Sequence, residues 1–267
     1  MAAGNPINNC LVTKLTASID SEMPRLGEFI VEFDPITNPQ NKDMYICVSY
    51  AETSPGAADY SGYVRLLTEG TLIYYSSAVP SGADAGTQLD ISDNRTYCII
   101  VPNGGKIAIG NKYYLKSFSP FSYYATETLG FGNGRLPHKK FNAADLVYCT
   151  NLETLSLQNT TVVGTFDLSL LSKLKEVGLS NSTAVINAEM FLENFNITSL
   201  QLLGSTITGE FAPVFDNWVT KLAGTYKKMK PFSLKNTDAT VDGTHYTTNI
   251  DYVEFRTDGT WEVVMPS

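Results

Sequence analysis

Charge is scarce in this chain of 267 residues. Asp, Glu, Lys and Arg make up only 17% of it, and their balance of −8 leaves no basic stripe for reading a phosphate backbone. Histidine is scarcer still. His138 and His245 stand alone, with no H-E-x-x-H or G-x-S-x-G near either. The four cysteines, Cys10, Cys47, Cys98 and Cys149, form no C-x-x-C. A zinc or redox motif is thereby disfavoured, and buried free thiols are expected. No apolar run approaches the ~18 residues of a membrane span. MAAGNPINNCLVTKL at the start has neither a basic n-region nor an apolar core, so no secretory signal is expected. The N-x-[ST] triplets at Asn94, Asn159, Asn181 and Asn196 then read as chance.

Motifs for chemistry are missing too. VPNGGKI (101–107) places Ile107 where a phosphate loop needs Ser or Thr. GFGNGR (130–135) fits a strand and turn better than a nucleotide loop, and Asp238 and Asp242 do not match a calcium loop. A non-enzyme with no cofactor and no metal site is expected.

Tyr (15) and Phe (13) are plentiful, and with many Thr, Val and Ile they lean the chain toward strand. One pattern recurs. NLETLSLQNTTVVG (from 151), KLKEVGLSNSTAVI (from 173) and NITSLQLLGSTITG (from 196) align the triplets Leu152/Leu155/Leu157, Leu174/Val177/Leu179 and Ile197/Leu200/Leu202. The step from Leu152 to Leu174 and on to Ile197 is nearly constant. L-x-x-L-x-L at a period of roughly 20–29 residues is the leucine-rich-repeat signature. Weaker copies lie upstream (Leu129, Phe131, Asn133) and downstream (Phe232, Leu234, Asn236), giving about five rungs. Each triplet should form a short strand, inward at alternate positions, stacked on its neighbours in a parallel sheet. Thr160, Ser182 and Ser205 follow the strands, where a side-chain oxygen can satisfy turn backbone. Val162 and Phe166, Ala184 and Ala188, and Ile207 and Phe211 should return inward. Helices are expected over 167–174, 187–195 and 212–229, and 139–149 as the back of the first rung. VEFRTDGTWEVV (253–264) alternates around Asp258-Gly259 and is expected to be a capping hairpin.

Residues 1–118 lack the repeat. CLVTKLTASID, FIVEFDP, MYICVSYAE, YVRLLTEGTLIYYSS, TYCIIVP and KIAIGNKYYLKSF read as strands between turn clusters, among them AVPSGADAGTQ. The expected fold is therefore mainly β: an antiparallel β-sandwich-like domain at 1–118, then a leucine-rich-repeat solenoid with few short helices at 119–267. The aromatic junction 117–127 should pack as an interface, making a stiff two-domain rod.

With no chemistry in view, the solvent side of the parallel sheet is the expected binding face. Its columns run Thr128-Thr154-Glu176-Ser199-Pro231, Gly130-Ser156-Gly178-Gln201-Ser233 and Gly132-Gln158-Ser180-Leu203-Lys235. The candidate contact residues are Thr154, Ser156, Gln158, Glu176, Ser180, Ser199 and Gln201. These are small and mildly polar, without the Trp, Tyr or Arg that anchor interfaces. The pairs Tyr74-Tyr75, Tyr113-Tyr114 and Tyr123-Tyr124 are expected to straddle strands, one ring inward and one outward.

LSLQNTTVVG and QLLGSTITG, with KIAIGNKYYLKSF leading into them, resemble leucine-rich-repeat proteins of tailed phages of gut Bacteroidales, the crAss-like group included. They are also similar to repeat proteins on the surface of the bacteria those phages infect. The resemblance spans about 115–245 and brings no catalytic residues. It implies a structural or adhesive virion protein, assembled in the host cytoplasm, contacting other virion proteins or copies of itself as a homo-oligomer. The alternative is a bacterial surface protein binding a host protein or glycan. Neither nucleic acid nor membrane insertion is expected.

Overall fold

The computed structural model describes residues 11–16, 27–33, 41–56, 60–68, 71–76, 88–124, 139–158 and 160–267. The chain is mainly β and divides into two compact units, Met1–Lys139 and Lys140–Ser267.

The first unit carries β1 (Leu11–Thr16), β2 (Phe29–Phe33), β3 (Asn41–Tyr50), β4 (Gly62–Leu66), β5 (Thr71–Ser76), β6 (Gln88–Ile91), β7 (Tyr97–Val101), β8 (Lys106–Gly110) and β9 (Leu115–Tyr124). Antiparallel pairing links them in the orders β1-β5-β7-β3-β9 and β2-β8-β4-β6. The period of two decides which residues go inside: Phe29, Val31 and Phe33 are buried, while Glu32 between them is exposed. Phe29 of β2 meets Phe118 of β9 edge to face, with ring centroids 5.2 Å apart. β9 runs unbroken across residue 118.

Two glycines admit aromatic rings here. A Cβ at Gly110 would lie 2.0 Å from the ring of Tyr63, its cross-strand partner, and one at Gly62 would lie 2.2 Å from the ring of Tyr50. The Tyr50 hydroxyl then donates to the Gly110 carbonyl at 2.8 Å. Arg65 sits fully buried, forking onto the buried Glu28 carboxylate at 3.1 and 2.9 Å. Such a pair is costly to break from one side. Strand β6 was missed in sequence, because QLDI is short and sits beside a turn cluster. Tyr113 and Tyr114 lie in the 3-10 turn Lys112–Tyr114 rather than on a strand; Tyr113 is exposed and Tyr114 half-buried. The side chains of Tyr74, Tyr75, Phe121, Tyr123 and Tyr124 are outside the described set.

The second unit begins with β10 (Lys139–Asn142), a 3-10 segment (Ala143–Tyr148), β11 (Thr154–Ser156), β12 (Thr160–Val163), β13 (Glu176–Gly178) and β14 (Val185–Asn187). It continues through a 3-10 turn (Ala188–Phe191), β15 (Ser199–Gln201), β16 (Thr206–Thr208) and α1 (Ala212–Leu222). It ends with β17 (Lys227–Met229), β18 (Phe232–Ser233), β19 (Tyr252–Phe255) and β20 (Trp261–Val264). Strands β11, β13, β15 and β18 pair in parallel, with Leu155, Val177, Leu200 and Phe232 in one register row. All four are buried, as are Leu152, Leu174 and Ile197 before them and Leu157, Leu179, Leu202 and Leu234 after them. Burying each such side chain contributes about 1.5–3 kcal/mol.

The turns after these strands follow one plan. Thr160, Ser182 and Ser205 are buried; Thr160 Oγ1 donates to the Gln158 carbonyl, Ser205 Oγ donates to that of Leu202, and Ser182 Oγ accepts from Ala184 N. Thr237 donates to Leu234 O in the same way. The preceding residue is left-handed, with φ of 55° at Asn181, 63° at Gly204 and 58° at Asn236. Asn and Gly tolerate that conformation best. Beyond the turn the register departs from expectation: Ile186, not Ala184, stands opposite Ile207.

The back of the unit is less helical than expected. Residues 167–174 form turns, only Ala188–Phe191 of 187–195 is helical and as 3-10, and α1 stops at Leu222. Ala223 and Gly224 have φ of 49° and 80°, which ends the helix. Instead of a helix, each back segment starts with an oxygen cap. Ala144 N donates to Asn142 Oδ1, Ser169 N to Asp167 Oδ1, Glu189 N to Asn187 Oδ1 and Ala212 N to Glu210 Oε1. Asn194 donates to Leu168 O and Leu171 O, and Asn217 and Trp218 donate to Leu192 O and Phe191 O, joining one back segment to the next.

The expected hairpin is present, pairing Val253 with Val263 and Phe255 with Trp261. Asp258 accepts from Thr260 N and Oγ1 in its turn, which holds this carboxyl below its usual range. β17 pairs with β19 on the other side, a third strand hidden in sequence by its lysines.

Candidate binding face and neighbouring groups

The expected contact residues fall into rows. Thr154, Glu176 and Ser199 are register partners, and so are Ser156, Gly178, Gln201 and Ser233. Glu176 is exposed, while Thr154, Ser156, Gln158, Ser180, Ser199 and Gln201 are half-buried. Gly178 is buried because Gln158 reaches across it; a Cβ there would lie 2.9 Å from Gln158 Nε2. Ser233 Oγ in the second row is buried without a hydrogen-bond partner. One border of the face carries links between the segments that lead into neighbouring strands, Lys173 Nζ to Asn151 Oδ1 at 2.6 Å and Lys175 Nζ to Glu153 Oε2 at 2.9 Å. Thr128, Gly130 and Gly132, with the upstream rung of Leu129, Phe131 and Asn133, lie outside the described residues. So do His138, Cys10 and Asn159.

Cysteine use needs correction. Cys47 is disulfide-bonded, and its antiparallel register partner is Cys98. Reading four scattered cysteines from linear spacing could not see that β3 and β7 pair side by side. Cys149 is a buried free thiol. Among the described residues no three His, Cys, Asp or Glu side chains gather as metal ligands, and no helix is long and apolar enough to cross a membrane.

Two charged side chains have settings the sequence did not disclose. Glu210 accepts from four donors, Ala212 N, Thr240 Oγ1, Asp242 N and Gly243 N, at 2.6–3.0 Å. Partial burial raises its pKa, but these bonds outweigh it and hold the carboxyl below its ordinary value. The loop 240–243, with Asp242 in it, is thus tied through its backbone to a carboxylate rather than wrapped around a cation. Tyr246 beside it is pushed up by burial and by the charges of Asp242 and Glu210.

Lys227 is the other. Its ammonium lies 4.6 Å from the Trp218 ring centroid and 5.4 Å from that of Phe255, and it donates to the Phe195 carbonyl. Burial pushes the amine down to about 7. The surroundings are aromatic: Phe215 touches Trp218, Phe232, Phe255 and Trp261 with centroids 5.2–5.8 Å apart.

No known family, curated protein or solved structure matches this chain. Its own residues carry the functional reading.

Proposed function

We propose that this chain is a non-enzymatic protein that works by protein–protein contact, as a structural or adhesive component of a phage virion. On this reading the second unit is a short leucine-rich-repeat solenoid closed by the 253–264 hairpin, and the first is a β-sandwich-like attachment domain. The observation that carries it is the register: residues one repeat apart in sequence stand side by side in parallel strands, leaving a row-patterned polar face. A stack of this kind presents a rigid extended surface suited to contact. Among the described residues the face offers no paired acid and base, which favours a reading of binding over turnover. Its partners are other virion proteins or copies of itself, in a symmetric assembly.

A second reading, a bacterial surface protein that binds a host protein or glycan, draws support from the disulfide at Cys47. Disulfides persist in oxidising surroundings and are rare in reduced cytoplasm.

Light scattering over a concentration series, paired with a search for the chain in purified particles, tests both. A defined oligomer and particle association are expected on the first reading. A monomer at every concentration, absent from particles yet bound to intact cells, would overturn it in favour of the second. On either reading Gln201→Arg and Ser156→Arg should remove the contact without unfolding the chain.

A further inference from the structure

The antiparallel sheet β17-β19-β20 has two edges, and the sequence treats them differently. On the β17 side, KKMKP (227–231) sets lysines and a proline along the strand and just past it. Lysine and proline are common guards of an edge, since both oppose the docking of another strand. β20 runs WEVV into Met265 with neither. Among the described residues no strand lies on its outer side.

The direction of its backbone groups follows from the bonds at its two ends. Arg256 N donates to Thr260 O, and Asp251 N donates to Val264 O, so these positions turn their polar groups toward β19. Alternation then turns the N–H and C=O of Trp261 and Val263 away from the sheet, onto the open edge. The side chains of these two residues share a face with their partners Phe255 and Val253. Phe255 and Val253 are fully buried, whereas Trp261 and Val263 are half-buried and Met265, two residues on, is 41% exposed. An apolar row thus stops where unpaired backbone begins.

We propose that β20 is a homodimer interface, pairing antiparallel with β20 of a second copy about a two-fold axis at Val263. The backbone calls for an extended strand, and the side chains select this register. Centring the pair on Glu262 would set two carboxylates opposite each other, which is disfavoured. Centring it on Trp261 would run the partner strand into the Asp258-Gly259 turn. About Val263, each Val263 meets its own copy, Trp261 meets Met265 and Glu262 faces Val264. Pro266 falls opposite Thr260, where the polar groups face β19, so its missing N–H is not called on. The two apolar rows join, and one continuous sheet results with the lysine-bearing β17 at both ends. This contact is additional to that of the polar rows, for which Gln201→Arg is the control.

The test is light scattering on the full chain across a concentration series, for wild type, Val263→Pro, Val264→Lys and Gln201→Arg. Wild type should pass from one chain to two as concentration rises, and Gln201→Arg should follow it. Val263→Pro should stay single with unchanged circular dichroism, because proline at an outward edge position gives up no bond within the sheet. Val264→Lys places a cation opposite Glu262 of the other copy on both sides of the axis. It should tighten the dimer several-fold at low salt, and the gain should fade as salt rises. This second variant decides the matter if the proline unfolds the sheet, and a dimer indifferent to it overturns the proposal. So does a wild-type chain that stays single throughout, or a dimer that survives in a folded Val263→Pro. A dimer lost with Gln201→Arg instead would hand self-contact to the polar rows and overturn it too. A single chain that loses a different protein with Val263→Pro would assign the edge to that protein, against the proposal.

Discussion

Replacing Lys227 with methionine should change how stability depends on pH more than it changes stability itself. The sign follows from linkage. In the unfolded chain this amine titrates near its ordinary 10.5, and in the folded unit burial brings it to about 7. Between those values the unfolded state holds one more proton, so the native state gains stability as pH rises. Below about 7 both states are protonated and the cost of burying the charge is felt in full; above 10.5 it is gone. The slope inside the window is about 1.4 kcal/mol per pH unit. Integrated over the shift it is on the order of 3–5 kcal/mol, the lower figure if the Trp218 ring and Phe195 carbonyl retain part of the charge. Methionine removes the titration and keeps an apolar stem against Trp218 and Phe255. It leaves the Phe195 carbonyl without its donor, a nearly constant offset that does not touch the slope. The assay is urea unfolding at pH 6, 8 and 10 followed by tryptophan fluorescence. Trp218 and Trp261, the chain's two tryptophans, both lie in the unit concerned. The variant's stability relative to wild type should be highest at pH 6 and fall steadily toward pH 10. Parallel profiles for the two proteins would refute the argument.

Glu210→Gln should destabilise the second unit by about 1–3 kcal/mol at pH 7, because hydrogen bonds to a charged acceptor are lost or weakened. Since the folded carboxyl lies below its unfolded value, that advantage is present above the unfolded pKa of about 4.5 and is lost as pH falls through the folded value, so the two proteins' urea midpoints should converge as the solution is acidified below 4.5. Gly110→Ala should cost several kcal/mol, on the order of 2–4 by overpacking, and Tyr63→Ala should recover part of it in a double-mutant cycle read by circular dichroism. Trp218→Phe keeps the aromatic packing but removes one of the two donors to the Phe191 carbonyl, leaving Asn194 N, and its urea midpoint should correspond to a loss of about 0.5–1.5 kcal/mol. Gly178→Ser on the polar face should leave stability nearly unchanged, because the nearest atom is the mobile end of Gln158.

What the sequence disclosed here depended on whether the signal was periodic. The triplets around Leu155, Val177 and Leu200 recur often enough that chance is a poor explanation, and their pairing follows from the spacing. The hairpin around Asp258-Gly259 was equally plain, since turn chemistry and alternation agree there. The back of the second unit was harder. DLSLLSKL has apolar residues at helical spacing, but Leu168, Leu171 and Leu174 are buried by successive tight turns as readily as by a helix. A better signal was available in the capping oxygens of Asn142, Asp167, Asn187 and Glu210, which recur once per back segment. They are chemically mixed, so an apolar pattern does not expose them. Lys227 and Glu210 had no local signature at all. Each is defined by groups on distant chain segments, Phe195 and Trp218 for the first and Thr240 to Gly243 for the second. The Cys47 disulfide likewise has no signature in linear spacing, where no C-x-x-C or other close pair marks it.

The change of register between the turns and the following strands has a consequence for how such a chain can vary in length. The step from Val177 to Leu200 equals the step from Ser182 to Ser205, whereas the step from Ile186 to Ile207 is shorter by two. The extra length of one unit of the stack is therefore taken up between Ser182 and Ile186, on the flank. Insertions and deletions arising there alter the contour of that edge while the exposed rows remain aligned. A lineage could therefore remodel one side of the molecule without redrawing the surface beside it. An engineer grafting a loop would start on the same flank, next to the exposed Val185.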